Sequence, residues 1–229
     1  MQLPSYYLPR PPLDLDATTI DAFEALWMHI SNFLEVEELP YSLSIPRWQF
    51  LCYLAEHKPV VLHGSGNPNL RELEPRQTND VSEFGNRCAI YAASDGIWPL
   101  YFAILDREQY PMSLTNACFR VIMPSGARSE PYYFFSISQT ALQHQPWHTG
   151  NVYILPSTSF EQQPPFASAD AEIQVMQCAS SEPVKPLAKL TVTPNDFPFL
   201  NQIRGHDESV QSQRASADPN GFPWIEDTA

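Results

Sequence analysis

The chain has 229 residues, 43% of them hydrophobic and 12% aromatic, enough for one full core with appendages. Thirteen Lys and Arg against 26 Asp and Glu leave a net charge of −13 with no run of cations. Nucleic-acid backbones and anionic membrane surfaces need clustered cations, so neither is an expected partner.

The 23 prolines, about twice the usual ~5% share, each remove a backbone donor, so short strands and ordered loops are expected over most of the chain. No stretch approaches the ~20 apolar residues of a membrane span, and MQLPSYYLPRPPLDLD has no apolar export core. Cys52, Cys88, Cys118 and Cys178 are scattered, which suits reduced, buried thiols better than a zinc site or a disulfide framework. A soluble, cytoplasmic protein is expected.

Residues 1–16 read as an extended arm in which Tyr6 and Tyr7 hint at docking. From Asp16 to about Val36, Ile20, Phe23, Leu26, Trp27, Ile30, Phe33 and Leu34 recur at helical steps, with Thr18 or Thr19 as N-cap. Pro46–His57 reads as a second helix that opens on proline. These elements make residues 1–57 an arm with two helices. A β-rich region, 58–200, follows. The acidic residues 201–229 read as a partly disordered tail, pinned by Trp224.

Within 58–200, Pro59-Val-Val-Leu-His63 reads as a strand that ends at Gly64-Ser-Gly-Asn-Pro. Cys88–Ala92 is a second strand and Asp95–Leu105 a helix. Further strands are expected at Ala117–Met123, Tyr132–Ile137, Val152–Leu155, Glu172–Cys178 and Leu187–Thr193, the first two joined by a hairpin loop at Pro124-Ser-Gly-Ala-Arg. The order predicts an α+β fold, neither a regular βαβ alternation nor a sandwich. No G-x-G-x-x-G or Walker A motif occurs. His144 and His148 stand four apart, but Pro146 between them makes a loop and not a metal site. Glu72, Glu74, Asp80 and Glu83 read as a solvated loop.

Three segments carry chemistry in order: Leu62-His63-Gly64-Ser65, Phe84-Gly85 followed by Cys88-Ala-Ile-Tyr91-Ala92, and Glu172 opening EIQVMQC with Lys185-Pro-Leu-Ala-Lys-Leu behind it. Taken singly, each has an ordinary structural reading; taken in order, they resemble the His-Tyr-Glu branch of the ADP-ribosyltransferases, the poly(ADP-ribose) polymerase-like branch, over about residues 60–193. The resemblance implies a mixed, largely antiparallel split β-sheet core behind an N-terminal helical segment, with NAD as substrate and no metal. It implies that His63 holds a ribose hydroxyl, that the Gly64 backbone N–H and C=O pair with the nicotinamide amide, that Ser65 is among the cofactor-binding residues, and that Tyr91 and Phe102 stack on the ring. Glu172 would offset the positive charge that develops at the anomeric carbon. Arg76 is the candidate for an adenosine or pyrophosphate contact, with Arg87 equally near in sequence. Glu161 is the nearest rival for the carboxylate.

Pro99 stands where the family usually carries a serine that bonds the amide, which leaves Ser94 or a loop group to substitute. The implied activity is mono-ADP-ribosyl transfer to a protein acceptor. An NAD glycohydrolase, or a catalytically silent NAD-binding or interaction module, are the alternatives. RNA 2′-phosphotransfer, on a related fold, needs arginines for RNA phosphate that this acidic chain lacks.

Overall fold

The computed structural model describes residues 3–30, 35–78, 80, 82–168 and 171–225. It is an α+β fold of two mixed sheets. The elements run β1 (Leu8–Pro9), α1 (Ala17–Ile30), β2 (Glu37–Glu38), α2 (Arg47–His57), β3 (Val60–Ser65), β4 (Arg76–Gln77), β5 (Cys88–Ala93), α3 (Trp98–Ile104), β6 (Leu114–Ile122) and β7 (Tyr132–Ser138). They continue α4 (Gln139–Leu142), β8 (Gly150–Pro156), β9 (Glu161–Gln162), β10 (Phe166–Ser168), β11 (Ala171–Val175), β12 (Gln177–Ser180), β13 (Ala188–Val192), β14 (Arg204–His206) and α5 (Glu208–Ala217).

The first sheet is ordered β1-β7-β6-β11-β10, with β14 also beside β7. The second is ordered β2-β13-β8-β3-β5-β12-β9, with β4 on β5. Most pairs are antiparallel; β2 with β13 and β14 with β7 are parallel. Phe23, Phe50, Leu62, Tyr101, Phe135 and Leu190 share one buried cluster, so α1, α2, β3, α3, β7 and β13 close over a common core. The expected boundary near residue 57 therefore does not divide two cores.

Local chemistry explains most boundaries. Asp16 caps α1 by accepting from the Thr19 N–H at 2.7 Å, in place of the threonines expected there. Phe33 and Leu34, expected to continue that helix, lie outside the described residues. Pro46, φ −56°, precedes α2, where a missing N–H costs nothing. The β6–β7 hairpin forms as expected: the Gly126 N–H donates to the Met123 carbonyl, and Gly126 takes φ +81°, which a glycine adopts without strain.

Three expectations need correction. Tyr6 and Tyr7 are not a free docking arm; their rings lie against Phe134, and that of Tyr7 also against Phe119. Residues 201–225 belong to the fold: β14 extends the first sheet, Asp207 caps α5, and Phe222 packs on Phe134 at 5.8 Å. Cys88 is exposed, whereas Cys52, Cys118 and Cys178 are buried. Among the described residues no helix is long and apolar enough to cross a membrane.

One buried polar group organises the core. Asp95, 4% exposed, accepts from the Ile97 and Trp98 N–H groups at the start of α3, both at 2.8 Å, and from the Tyr133 hydroxyl at 2.7 Å. Burial pushes its carboxyl above the usual range against the pull of these donors. It ties α3 to β7 across the core. Asp95→Ala leaves three donors without a partner, so a loss on the order of 3 kcal/mol is expected in urea unfolding, against about 1 kcal/mol for Tyr133→Phe.

Candidate functional site

The second sheet opens between β3 and β5. These strands share one paired position, Leu62 with Ala93. Beyond it β3 stays with β8 through Ser65, while β5 stays with β12. Across the opening His63 Nδ1 donates to the Tyr91 carbonyl at 2.7 Å. A carbonyl only accepts, so Nδ1 carries the proton and Nε2 of the neutral ring is left as an acceptor. Burial holds the imidazole below its usual range, opposed by the Tyr91 carbonyl and reinforced by the Arg76 cation. The strand expected to stop at His63 in fact runs on through Gly64 and Ser65, opposite Val152 and Asn151.

Gly64 faces the opening through its backbone. Pro156 has no N–H, and the Ser157 N–H donates to the Pro59 carbonyl. Alternation along the β3–β8 ladder then turns the N–H and C=O of Gly64 away from β8, toward β5. On its α3 side there is no space: a Cβ on Gly64 would stand 1.8 Å from the Pro99 carbonyl oxygen. Only glycine permits α3 to lie this close. Phe102 sits on α3, partly buried, in ring contact with Tyr101 at 5.3 Å and Trp98 at 6.4 Å. Pro99 lacks a donor, and Ser94 does not stand in for one here. Its hydroxyl donates to Gln162 Oε1 at 2.8 Å, away toward β9.

Tyr91 shares a face with Ala93 and Leu62, the α3 side, by strand alternation and pairing. His63, adjacent to Leu62, belongs by the same alternation to the opposite face. Imidazole and phenol therefore meet through a carbonyl and not ring to ring. The Tyr91 hydroxyl donates to the Phe84 carbonyl at 2.9 Å and accepts from the Arg87 N–H at 2.9 Å. This explains the Phe-Gly segment: it folds back as a loop clamped by the phenol.

The two arginines separate clearly. Arg76, opposite Ala89 on β4, is exposed and acts electrostatically on His63. Arg87 is engaged elsewhere, with NH1 on Glu161 Oε2 at 3.0 Å and its guanidinium over the Phe84 ring at 4.4 Å.

Glu172 is not brought to this opening. The strand expected over Glu172–Cys178 is two strands, because the chain changes sheets at Met176. Its N–H donates to the Cys118 carbonyl in the first sheet, and its carbonyl accepts from the Ser94 N–H at the end of β5 in the second. Glu172 falls before that crossing, exposed on β11 between Ile122 and Ala167. The apolar alternation of EIQVMQC shifts phase at Val175-Met176, where two apolar residues stand side by side, and this break is the signal in the sequence that marks the crossing.

His144 and His148 lie in a loop, with His144 stacked on Tyr110 at 5.5 Å and His148 Nε2 on the Ala103 carbonyl. Among the described residues no group of His, Cys, Asp or Glu is arranged to hold a metal. Comparisons with protein-family models, curated proteins and solved structures find no match.

His63 titration follows from its setting. Its folded pKa is depressed below the unfolded ~6.5. Above pH 6.5 both states hold it neutral; below that the unfolded chain takes the proton first, so stability declines as pH falls from 6.5 toward the folded value. His63→Gln keeps a donor for the Tyr91 carbonyl and removes the titration. Urea unfolding at pH 7.5 and 5.5 is expected to show a smaller pH loss in this variant than in the wild type.

Proposed function

We propose that the opening between β3 and β5 binds NAD and that the chain is an ADP-ribosyltransferase-like protein, releasing nicotinamide and passing ADP-ribose to a protein acceptor in the cytoplasm. The observation that carries this reading is the parting of the strands after Leu62–Ala93, with His63 Nδ1 on the Tyr91 carbonyl. It gathers at one place the first two segments on which the resemblance rests.

In this reading the Gly64 N–H and C=O pair with the nicotinamide amide, which their direction along the ladder supports. His63 Nε2 accepts from a ribose hydroxyl, which the proton on Nδ1 supports. Tyr91 and Phe102 supply the aromatic surfaces, Ser65 borders the amide, and Arg76 draws the pyrophosphate toward His63. Rate then comes from positioning and electrostatics, since the pyridinium of NAD is already a good leaving group.

A second reading has support of its own. Glu172 stands in the first sheet, and Pro99 offers no donor, which favours a module that binds NAD without turning it over. NAD labelled in its adenylate half separates the cases: label on protein indicates transfer, free ADP-ribose hydrolysis, and intact bound NAD a binding module. By calorimetry, His63→Ala and Tyr91→Ala are each expected to weaken NAD binding about 10-fold, the worth of one hydrogen bond or stacking face. Glu172→Gln is expected to leave the affinity unchanged. Wild-type affinity in both alanine variants would sink the reading.

A further inference from the structure

Residues 204–217 run between two apolar anchors. Ile203 before them is buried in the main core, and Phe222 after them packs on Phe134 at 5.8 Å. Between the anchors little apolar surface is covered, and α5 has no buried side chain. Hydrogen bonds hold the segment instead. β14 pairs with Ser136–Ser138 of β7, and the Thr115 hydroxyl donates to Gln211 Oε1 at 2.8 Å. At the centre stands His206, 8% exposed, with Nδ1 2.7 Å from the Ser136 hydroxyl and Nε2 2.7 Å from that of Ser113.

The partners fix the protons. The Ser136 hydroxyl gives its proton to the Arg204 carbonyl at 3.2 Å, so it accepts from Nδ1–H. Nε2 then carries no proton and accepts from the Ser113 hydroxyl. Ser138 accepts from the Ser113 N–H at 2.8 Å and donates to Glu208. This set of bonds fits a neutral ring. A proton on Nε2 meets that of Ser113, which must turn to Ser138, 3.1 Å away. The buried imidazolium then touches hydroxyls alone, with the Glu208 carboxylate two hydroxyls distant.

No closer charge comes from the elements packed around the ring. β7 and α4 carry none, and Arg120, at the far end of β6, is held by Glu56. The Tyr101 phenol of α3 donates to the Ser136 carbonyl and is neutral. On its own segment Arg204, Asp207 and Glu208 are all exposed, and Asp207 is engaged in capping α5. Burial holds the ring below its usual range, against the pull of Glu208 and Asp207.

We propose that His206 is a pH-operated latch: neutral, it clasps residues 204–217 to β7, and protonated, it lets them open while Ile203 and Phe222 stay anchored. Opening uncovers the β7 edge at Ser136–Ser138, a stretch that β1, paired at Tyr132–Tyr133, does not cover. In the open segment the ring meets water and titrates near ~6.5. Above that pH the closed form is fully favoured. As pH falls below it toward the folded value, opening gains up to about 10-fold per pH unit.

Hydrogen exchange on the full chain at pH 7.5 and 5.5, corrected for the intrinsic pH dependence of exchange, tests the latch. In the wild type, opening at residues 204–206 is expected to grow about 3- to 10-fold between the two pH values, with β8 amides changing less. His206→Gln keeps a donor for Ser136 and an acceptor for Ser113, and is expected to show no such growth. A wild-type change at 204–206 that is absent, or matched at β8, overturns the latch, as does equal growth in His206→Gln. Proton NMR of the wild type gives a reading that needs no variant. A His206 ring that titrates below pH ~6.5 supports the latch, and one that titrates at or above it overturns the latch.

Discussion

A β-strand edge left without a partner must find donors for its carbonyls elsewhere, because a partly buried acceptor that leaves water unreplaced costs about 1–3 kcal/mol. At Tyr91 the missing donor is the imidazole of His63. That bond lets β3 and β5 part after Leu62–Ala93 without orphaning the Tyr91 carbonyl, and it fixes which ring nitrogen carries the proton. The Gly64 backbone groups then face an opening that an ordinary ladder would have closed. A side chain performs the work of a backbone pair, and the sheet gains a slot.

The surrounding structure holds that slot in shape. On one side α3 lies so near Gly64 that no Cβ is tolerated, and Asp95 anchors the start of α3 to Tyr133. On the other, the 84–87 loop folds over the Tyr91 hydroxyl, and Arg87 carries the connection on to Glu161. The C-terminal segment braces the first sheet. His206 stands between the hydroxyls of Ser113 and Ser136 at 2.7 Å each, so β14 is fastened to β7 through side chains as well as through its ladder.

The crossing at Met176 puts Glu172 in a different sheet from His63 and Tyr91. With its N–H in one sheet and its C=O in the other, Met176 leaves Ala171–Val175 in the first sheet and carries Gln177–Ser180 into the second. The apolar alternation shifts phase at Val175-Met176, and Glu172, before that break, stands in the first sheet. Glu161 reaches the face of Tyr91 by a different route, as a two-residue edge strand too short to stand out in a pattern search.

Much of the local structure was legible in the residues themselves. Apolar spacing marks α1 and α2, β-branched runs mark β3 and β8, and the Pro-Ser-Gly loop marks the β6–β7 hairpin, because these depend on neighbours along the chain. His63, Gly64 and Tyr91 were legible as a set through their segments. Packing of Tyr6 and Tyr7 on Phe134, entry of residues 204–206 into the first sheet, and the choice between Arg76 and Arg87 all depend on partners far along the chain, so no local pattern encodes them. The sequence by itself determined the α+β class, the acidic surface and the segments that border the opening. Tertiary structure alone decided where the sheet opens and on which face each acid stands, since strand pairing is set by backbone partners that no window of residues contains.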